Sequence, residues 1–528
     1  MSNLLKFNNK YIKNHQKTID ELSIKLDFHQ LHDFFKNNYN IDSQIDQDII
    51  KPYTRDWSNL SGNADLLVRP KNNEECAIIL LACNQQKIPV TFSGGQTNLT
   101  GSATPNGGIV FSTSSLNKSY FSIDIDKKIA HTSVSMRLEN MRNKILEESN
   151  NTLYYPVDPT SRNDAFIGGT LSCNASGFIP GNKGATRYWV EEIRFILING
   201  FSLRIKRGEY VSNNGVFILQ CNTQQSIIKI PRYKRPEIKN ASGPFSSQNS
   251  EIDFIDLIIG SEGIFGLITN CTLKLDNKPN GYLDLFLRLS NESEAIEIHQ
   301  FLTRELSPDL EKITALEYFG YNCQSYMKNR EFLFNNKNEV GLYIQVPIYN
   351  GSIESKSEEW ANLLSKFNPS FDLLTISILS DPISWKKFFE ARHSIPDNAL
   401  IKTQKMGGIS IITDTIVPPE KFQEYLMKIH NRLQKYNIEY LLFGHLGDCH
   451  LHFHLIPNKK QEAISLEIYD YMVDLSSQLG GVYSAEHGTG KRKKHDFKKC
   501  YGNTAVEMVK NTKLGFDPHL LLNKGNII

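Results

Sequence analysis

The chain has 528 residues, 40% of them hydrophobic and 22% charged, with a formal net charge of +2. That length asks for two or three domains, and the near-neutral balance, with no charge run or aromatic-interleaved basic patch, argues against a nucleic-acid partner. Eight scattered cysteines without a C-x-x-C pair argue against a zinc ribbon or an iron–sulfur cluster and fit a reducing compartment.

Residues 1–55 are Asn- and Lys-rich with helical periodicity and read as an N-terminal extension of one or two helices. They lack the apolar core of a signal peptide, and no arginine precedes Arg55, as a transit peptide would require. No apolar run in the chain is long enough to span a bilayer. The expected location is cytoplasmic, with peripheral attachment to the inner membrane left open. From Asp65 the pattern alternates: "DLLVRP" is a strand stopped by proline, "NNEECAIILLACNQQK" a helix, and "IPVTFSGG" and "GGIVFSTSSLN" are strands, together an α/β unit. The stretch "YYPVDPTSRNDAFIGGTLSCNASGFIPGNKGATRY" has turn residues and little period, and long irregular stretches of this kind are usually functional. "VEEIRFILINGFSLRI" reads as a hairpin turning at Asn199-Gly200, and "DLIIGSEGIFGLITNCTLKL" as strand, glycine turn and strand. Beyond about Pro279, strands such as "YLDLFLRL", "VGLYIQVPI", "GISIITDTIV", "IEYLLFGH" and "HLHFHLI" alternate with helices such as "PEKFQEYLMKIHNRLQKY". They predict an antiparallel sheet with helices on one face.

Three glycine-rich segments stand out, residues 93–101, 168–184 and 260–266. Glycine permits positive φ and close backbone approach, and successive N–H groups in such turns form anion-binding nests. None matches a P-loop or a Rossmann fingerprint. One such segment is an ordinary turn; three at the ends of successive strands point to a large phosphate-bearing ligand held by backbone.

"PVTFSGGQTNLTGSATPNGGIV", "DPTSRNDAFIGGTLSCNASG" and "LIIGSEGIFGLITNCTLKL" together resemble the FAD-binding domain of the PCMH-type (vanillyl-alcohol oxidase superfamily) flavoproteins. The branch they resemble is that of the D-lactate, glycolate and D-2-hydroxyglutarate dehydrogenases. The resemblance implies an α+β fold with a two-subdomain FAD-binding domain over residues 56–279. An antiparallel-sheet α+β substrate (cap) domain would follow over residues 280–528, its last residues returning to FAD. It implies that Gly94, Gly95, Gln96, Thr97 and Asn98 wrap the pyrophosphate. Gly168, Gly169, Asn174 and Gly177 would line the flavin side, and Gly184 and the Ile268 backbone would contact the rest of the cofactor. Asn523 of "LLNKGNII" would return to the flavin, with Lys524 where proline is usual. The 93–97 turn lacks the histidine often found in relatives with attached flavin, so non-covalent FAD is expected.

In "FGHLGDCHLHFHL", residues 443–455, His450, His452 and His454 alternate by two and project from one face of a strand, while His445 lies in the turn before it. A hairpin could bring His445 and one of the three into a shared metal sphere, and Glu486 of "SAEHGTG" offers a carboxylate ligand with a position left for substrate. The plainer alternative is a polar strand face and a solvated loop carboxylate. The resemblance decides between them. G-H-x-G-D-x-x-x-H followed by E-H-G matches the family's C-terminal domain. By position His445, His452 and Glu486 would hold a divalent metal, zinc being expected, and His487 would be the catalytic base. His450 and His454 stand where relatives have asparagine. His454 is expected to face the substrate, and both are alternative ligands. Arg392 in "SWKKFFEARHSIP" looks like the family's carboxylate-binding arginine, with Lys405 a second candidate.

The expected protein is an FAD-dependent dehydrogenase that oxidises a D-2-hydroxy acid to the 2-oxo acid by hydride transfer to flavin. Electrons would pass to a quinone, an electron-transfer flavoprotein or a separate subunit, and a homodimer is compatible with the sequence. Within the fold the alternatives are an alkylglycerone-phosphate-synthase-like flavoenzyme or a flavin oxidase. From other classes they are a zinc hydrolase using the same three ligands, which has no need of the glycine segments, or a non-catalytic flavin-binding subunit.

Overall fold

In the computed structural model, which describes every residue except 21, 23, 24, 308, 309 and 369–372, the alternating segment after Asp65 forms a small sheet. Leu66–Val68, Ile109–Ser112 and Val90–Ser93 pair in parallel, in that spatial order, and Ser43–Gln44 adds an antiparallel edge. Helix Asn73–Gln86 makes the crossover. Asn72 caps it by accepting from the Glu75 N–H, and Cys76 through Cys83 are all buried. A helix apolar on every side must be enclosed. A second, antiparallel sheet runs Ser202–Lys206, Val190–Ile196, Leu267–Lys274, Ile129–Ser133, Phe121–Asp124. It contains the hairpin expected at Asn199-Gly200. There Gly200 has φ +78°, and a Cβ would lie 2.8 Å from both the Ala77 carbonyl oxygen and Ile12.

Three segments differ from their sequence reading. The apolar run before Gly260 is a helix, Phe254–Ile258, rather than a strand. Asp253 starts it by accepting from the Ile255 N–H. A short, fully buried apolar run carries no period by which strand and helix can be told apart. Within the glycine-rich stretch, Ile167–Cys173 is helical. Finally, residues 1–55 form more than helices. Leu4–Phe7 is a strand parallel to Val216–Cys221, and Leu5, Phe7, Ile12, Leu31 and Phe35 belong to the same core as the two sheets above. That core also takes in Val509, Phe516 and Leu522 from the far end of the chain, where Lys494–Phe516 is helical with a break at Gly502.

A third, antiparallel sheet spans Ile376–Ile378, Gly281–Leu289, Val340–Ile348, Ala315–Phe319, Tyr440–His445, His450–Leu455 and Ile411–Ile412, in that order. Its strands alternate. Leu285 and Leu287 pack with helices Glu292–Glu305, Ile353–Phe367, Phe422–Lys435 and Glu462–Gln478. Phe286, Phe319 and Phe443 pack on the opposite face with Phe388, Ala391 and Ile395 of helix Pro382–Lys405. Helices therefore lie on both faces, not on one. No helix among the described residues is long and apolar enough to cross a membrane.

Candidate active site

A cavity of about 410 Å³ opens between the glycine segments and the second face of the third sheet. Gly94, Gly95, Gln96, Thr97, Asn98, Gly168, Gly169, Gly177, Ile268 and Asn523 all line it. Gly95 is required by close approach, since a Cβ there would sit 2.1 Å from the Asp164 carbonyl oxygen. Gly169 meets nothing within 4 Å, so the absent side chain leaves room in the cavity itself. Asn174 and Gly184 stand behind the wall. Asn174 is left-handed (φ 49°) and accepts from the Arg187 N–H, while Gly184 lets the Ile179 carbonyl approach to 1.9 Å of a would-be Cβ. Both shape the turn without lining the space.

Strand register builds the opposite wall. Directly opposed residues of neighbouring strands share a face. Glu317 pairs with His445 and His445 with His450; Phe319 pairs with Phe443 and Phe443 with His452; Leu441 pairs with His454 and His454 with Ile412. The four histidines thus occupy one face of the sheet. Three of them converge with Glu486, which arrives on the 484–490 turn: one ligand atom each from His445, His450, His452 and Glu486 lies within 4.8 Å of the others. His445 Nε2 and His452 Nε2 are each 3.5 Å from a Glu486 oxygen. Their Nδ1 atoms are turned away, at 2.6 Å from Glu317 Oε1 and 2.9 Å from the Thr413 carbonyl oxygen. This is the outer-shell pattern that fixes the tautomer and aims Nε2 at an ion, so the donor set fits a divalent metal. His454 lies apart from the cluster. It is fully buried, bonded at 2.6 Å to Ser410, and does not line the cavity, so the expected substrate contact is absent. His450 Nε2 comes within 3.2 Å of Asp414 Oδ1 but makes no hydrogen bond there.

Residues not singled out in the sequence hold this arrangement. Glu317, 1% exposed, bonds Arg392 Nη2 at 2.8 Å as well as His445. Burial alone would raise its carboxyl, but His445 and Arg392 hold it down at about 2. Burial would likewise lower His445, and Glu317 reverses that, to about 9. The guanidinium of Arg392 also lies 4.4 Å from the Phe178 ring centroid. Asp414, fully buried, accepts from the Ser484 hydroxyl (2.5 Å), the Glu486 and His487 N–H groups (3.2 and 3.0 Å) and Lys493 (3.0 Å). His487 Nδ1 is 3.6 Å from Asp414, and burial pushes this imidazole down to about 4, so it is neutral at physiological pH. Glu262 ties the two halves together by accepting from Ser102 (2.6 Å) and the Thr489 and Gly490 N–H groups (2.6 and 2.8 Å). Lys239, also buried, lies 3.1 Å from Glu486 and 3.3 Å from Asp448. Lys405 is exposed at the end of its helix, outside the cavity, and has no geometric basis as a substrate ligand. A charge inside a largely apolar run is the signal that could have found Glu317 in "ALEYF" and Asp414 in "IITDTIV"; Lys239, in a polar stretch, has none.

Two parts of the chain match known families. Residues 64–206 match the FAD binding domain, and residues 335–527 match the C-terminal domain of the FAD linked oxidases. A D-lactate dehydrogenase of Anaerostipes hadrus is 25% identical over 499 residues, covering 92% of this chain and 94% of the relative. The mitochondrial D-2-hydroxyglutarate dehydrogenase of Danio rerio is 24% identical, covering 90% and 81%. Among solved structures, p-cresol methylhydroxylase superposes with a TM-score of 0.68 at 13% identity, over 94% of this chain and 96% of the other. An alkyldihydroxyacetonephosphate synthase gives 0.66 at 15%, over 93% and 84%. At such identities these two likenesses show the fold alone. The class is thus an FAD-linked oxidoreductase. The chain belongs to the PCMH-type, vanillyl-alcohol oxidase superfamily of flavoproteins, in the branch of the D-lactate and D-2-hydroxyglutarate dehydrogenases.

Proposed function

We propose that the protein is a dehydrogenase that oxidises a D-2-hydroxy acid to the 2-oxo acid. The observation that carries this reading is Glu317, which bonds both an arginine and a metal-type histidine on the wall facing the glycine cradle. One carboxylate thereby fixes the separation between a site for the substrate carboxylate and a site for its hydroxyl. Arg392 is free to offer its remaining N–H donors to the carboxylate in a planar fork. When bound, FAD would supply the hydride acceptor, and His445, His452 and Glu486 would hold a divalent ion, zinc in this reading, whose charge would favour loss of the substrate hydroxyl proton. His487, neutral and with its backbone N–H bonded to Asp414, takes the hydroxyl proton at Nε2. The turn at residues 93–98 carries neither histidine nor cysteine, which supports non-covalent FAD. The final acceptor is a quinone, an electron-transfer flavoprotein or a separate subunit.

The test is anaerobic. Substrate should bleach the flavin of the wild-type protein. His487→Ala should retain FAD yet bleach at least about a hundredfold more slowly, the usual weight of a general base. Chelation should abolish bleaching and zinc should restore it. A His487→Ala protein that bleaches at the wild-type rate, or undiminished bleaching in a metal-free preparation, would remove that group from the reaction.

A further inference from the structure

The wall opposite the glycine cradle is graded in polarity along its strands. At the end near the 446–449 turn stand Glu317, His445 and His450, with Arg392 reaching in beside them. Two residues further along come Phe443 and His452, and two further again Ile412, paired with His454, which is buried against Ser410 and does not reach the cavity. Phe178 covers the polar end, its ring 4.4 Å from the Arg392 guanidinium and 5.7 Å from the His445 ring. A carboxylate and a hydroxyl therefore find partners at one end of the wall. Beyond it the cavity is bounded on this side by Phe443, Ile412 and Pro396.

Positive charge is correspondingly scarce. Among the described residues, Arg392 is the single lysine or arginine lining the cavity. His393, at the mouth, is bonded through Nδ1 to the Phe389 carbonyl oxygen, and burial together with the adjacent Arg392 lowers its pKa. Lys239 is taken up by Glu486 and Asp448, and Lys405 is outside. Ile412 is 41% exposed, so this end lies toward the mouth; a second carboxylate there would lose part of its hydration against apolar surface with no cation to meet it, which is unfavourable. An alkyl or aryl tail would instead bury apolar surface there.

Building on the function proposed above, we infer that the substrate is a 2-hydroxy monocarboxylic acid with an apolar side chain, selected by Phe443 and Ile412, and that dicarboxylic 2-hydroxy acids are rejected. The holoenzyme is mixed anaerobically with D-lactate, D-2-hydroxyisocaproate, D-phenyllactate and D-2-hydroxyglutarate, each below saturation, and the second-order rate of flavin bleaching is read. D-2-hydroxyisocaproate or D-phenyllactate should exceed D-lactate about tenfold or more and D-2-hydroxyglutarate about a hundredfold or more. Ile412→Lys, which places an ammonium at the apolar end, should raise the ratio of the D-2-hydroxyglutarate rate to the D-2-hydroxyisocaproate rate at least about tenfold. Bleaching led by D-2-hydroxyglutarate or D-lactate in the wild type, or an unmoved ratio in Ile412→Lys, would overturn this selectivity while leaving the dehydrogenase reading standing. Failure of all four acids to bleach the flavin would overturn both.

Discussion

Glu317 shows how much one buried side chain can organise. It offers one oxygen to His445 and the other to Arg392, and both partners are themselves buried. Replacing it with glutamine keeps the shape and loses the charge. Arg392 would then be a buried guanidinium without its counter-ion, and His445 would lose the acceptor that holds its Nδ1–H. Loss of such an outer-shell partner typically weakens metal binding about 10–100-fold. Glu317→Gln should therefore bind zinc about 10–100-fold more weakly in a chelator competition titration, with the flavin spectrum unchanged. Zinc affinity equal to wild type would mean that His445 is not a ligand. The same residue marks a limit of sequence reading. Histidines spaced by two and an E-H-G turn are visible as motifs, whereas Glu317 shows in the sequence only as a charge within an apolar strand, and its role emerges from its pairing with His445 across two strands.

At the scale of the element, the hairpin formed by Tyr440–His445 and His450–Leu455 is what turns scattered histidines into a cluster. Its register depends on Gly444, whose φ of +136° is a conformation that L side chains rarely adopt. A Cβ there would also lie 3.0 Å from His452 Cδ2 and 3.2 Å from the His450 carbonyl oxygen. Gly444→Ala should cost more than about 1 kcal/mol, since alanine at an incompatible positive φ destabilises. Because the strain falls beside His452, metal stoichiometry should drop before global unfolding in a denaturant titration followed by both signals. Unchanged metal content and midpoint would mean that the hairpin relaxes elsewhere. Element type was legible wherever the period was strong or turn chemistry explicit, as in helix Asn73–Gln86 and the Asn199-Gly200 hairpin. It was not legible for Phe254–Ile258, where burial on all sides removes the period, and "GISIITDTIV" yields only the two-residue strand Ile411–Ile412. Asp414 in that segment instead organises the 484–490 turn.

For the whole molecule, the decisive contacts join parts of the chain that sequence order keeps furthest apart. The last residues lie beside strand Val90–Ser93: the Val90 N–H donates to the Leu521 carbonyl at 2.9 Å, and the Asn523 N–H to the Val90 carbonyl at 2.7 Å. The Asn523 side chain then accepts from the Phe92 N–H (2.8 Å) and donates to the Glu262 carbonyl (2.6 Å), spanning the first and third glycine segments at the cavity wall. The neighbouring Lys524 is exposed and takes no part in the asparagine's contacts. The N-terminal strand Leu4–Phe7 and the C-terminal residues share one core with the sheets between them, which no local pattern in either terminus announces. Asn523→Ala removes two buried hydrogen bonds and leaves the Phe92 N–H without its acceptor. At about 1 kcal/mol for each bond, FAD affinity should fall tenfold or more, measured by recovery of flavin fluorescence on dilution. Lys524→Ala, touching only solvent, should leave it unchanged. If both variants retain FAD equally, the terminus braces the fold without shaping the cofactor site. If Asn523→Ala alone releases it, the end of the chain acts as a clasp on glycine turns encoded more than two hundred residues earlier.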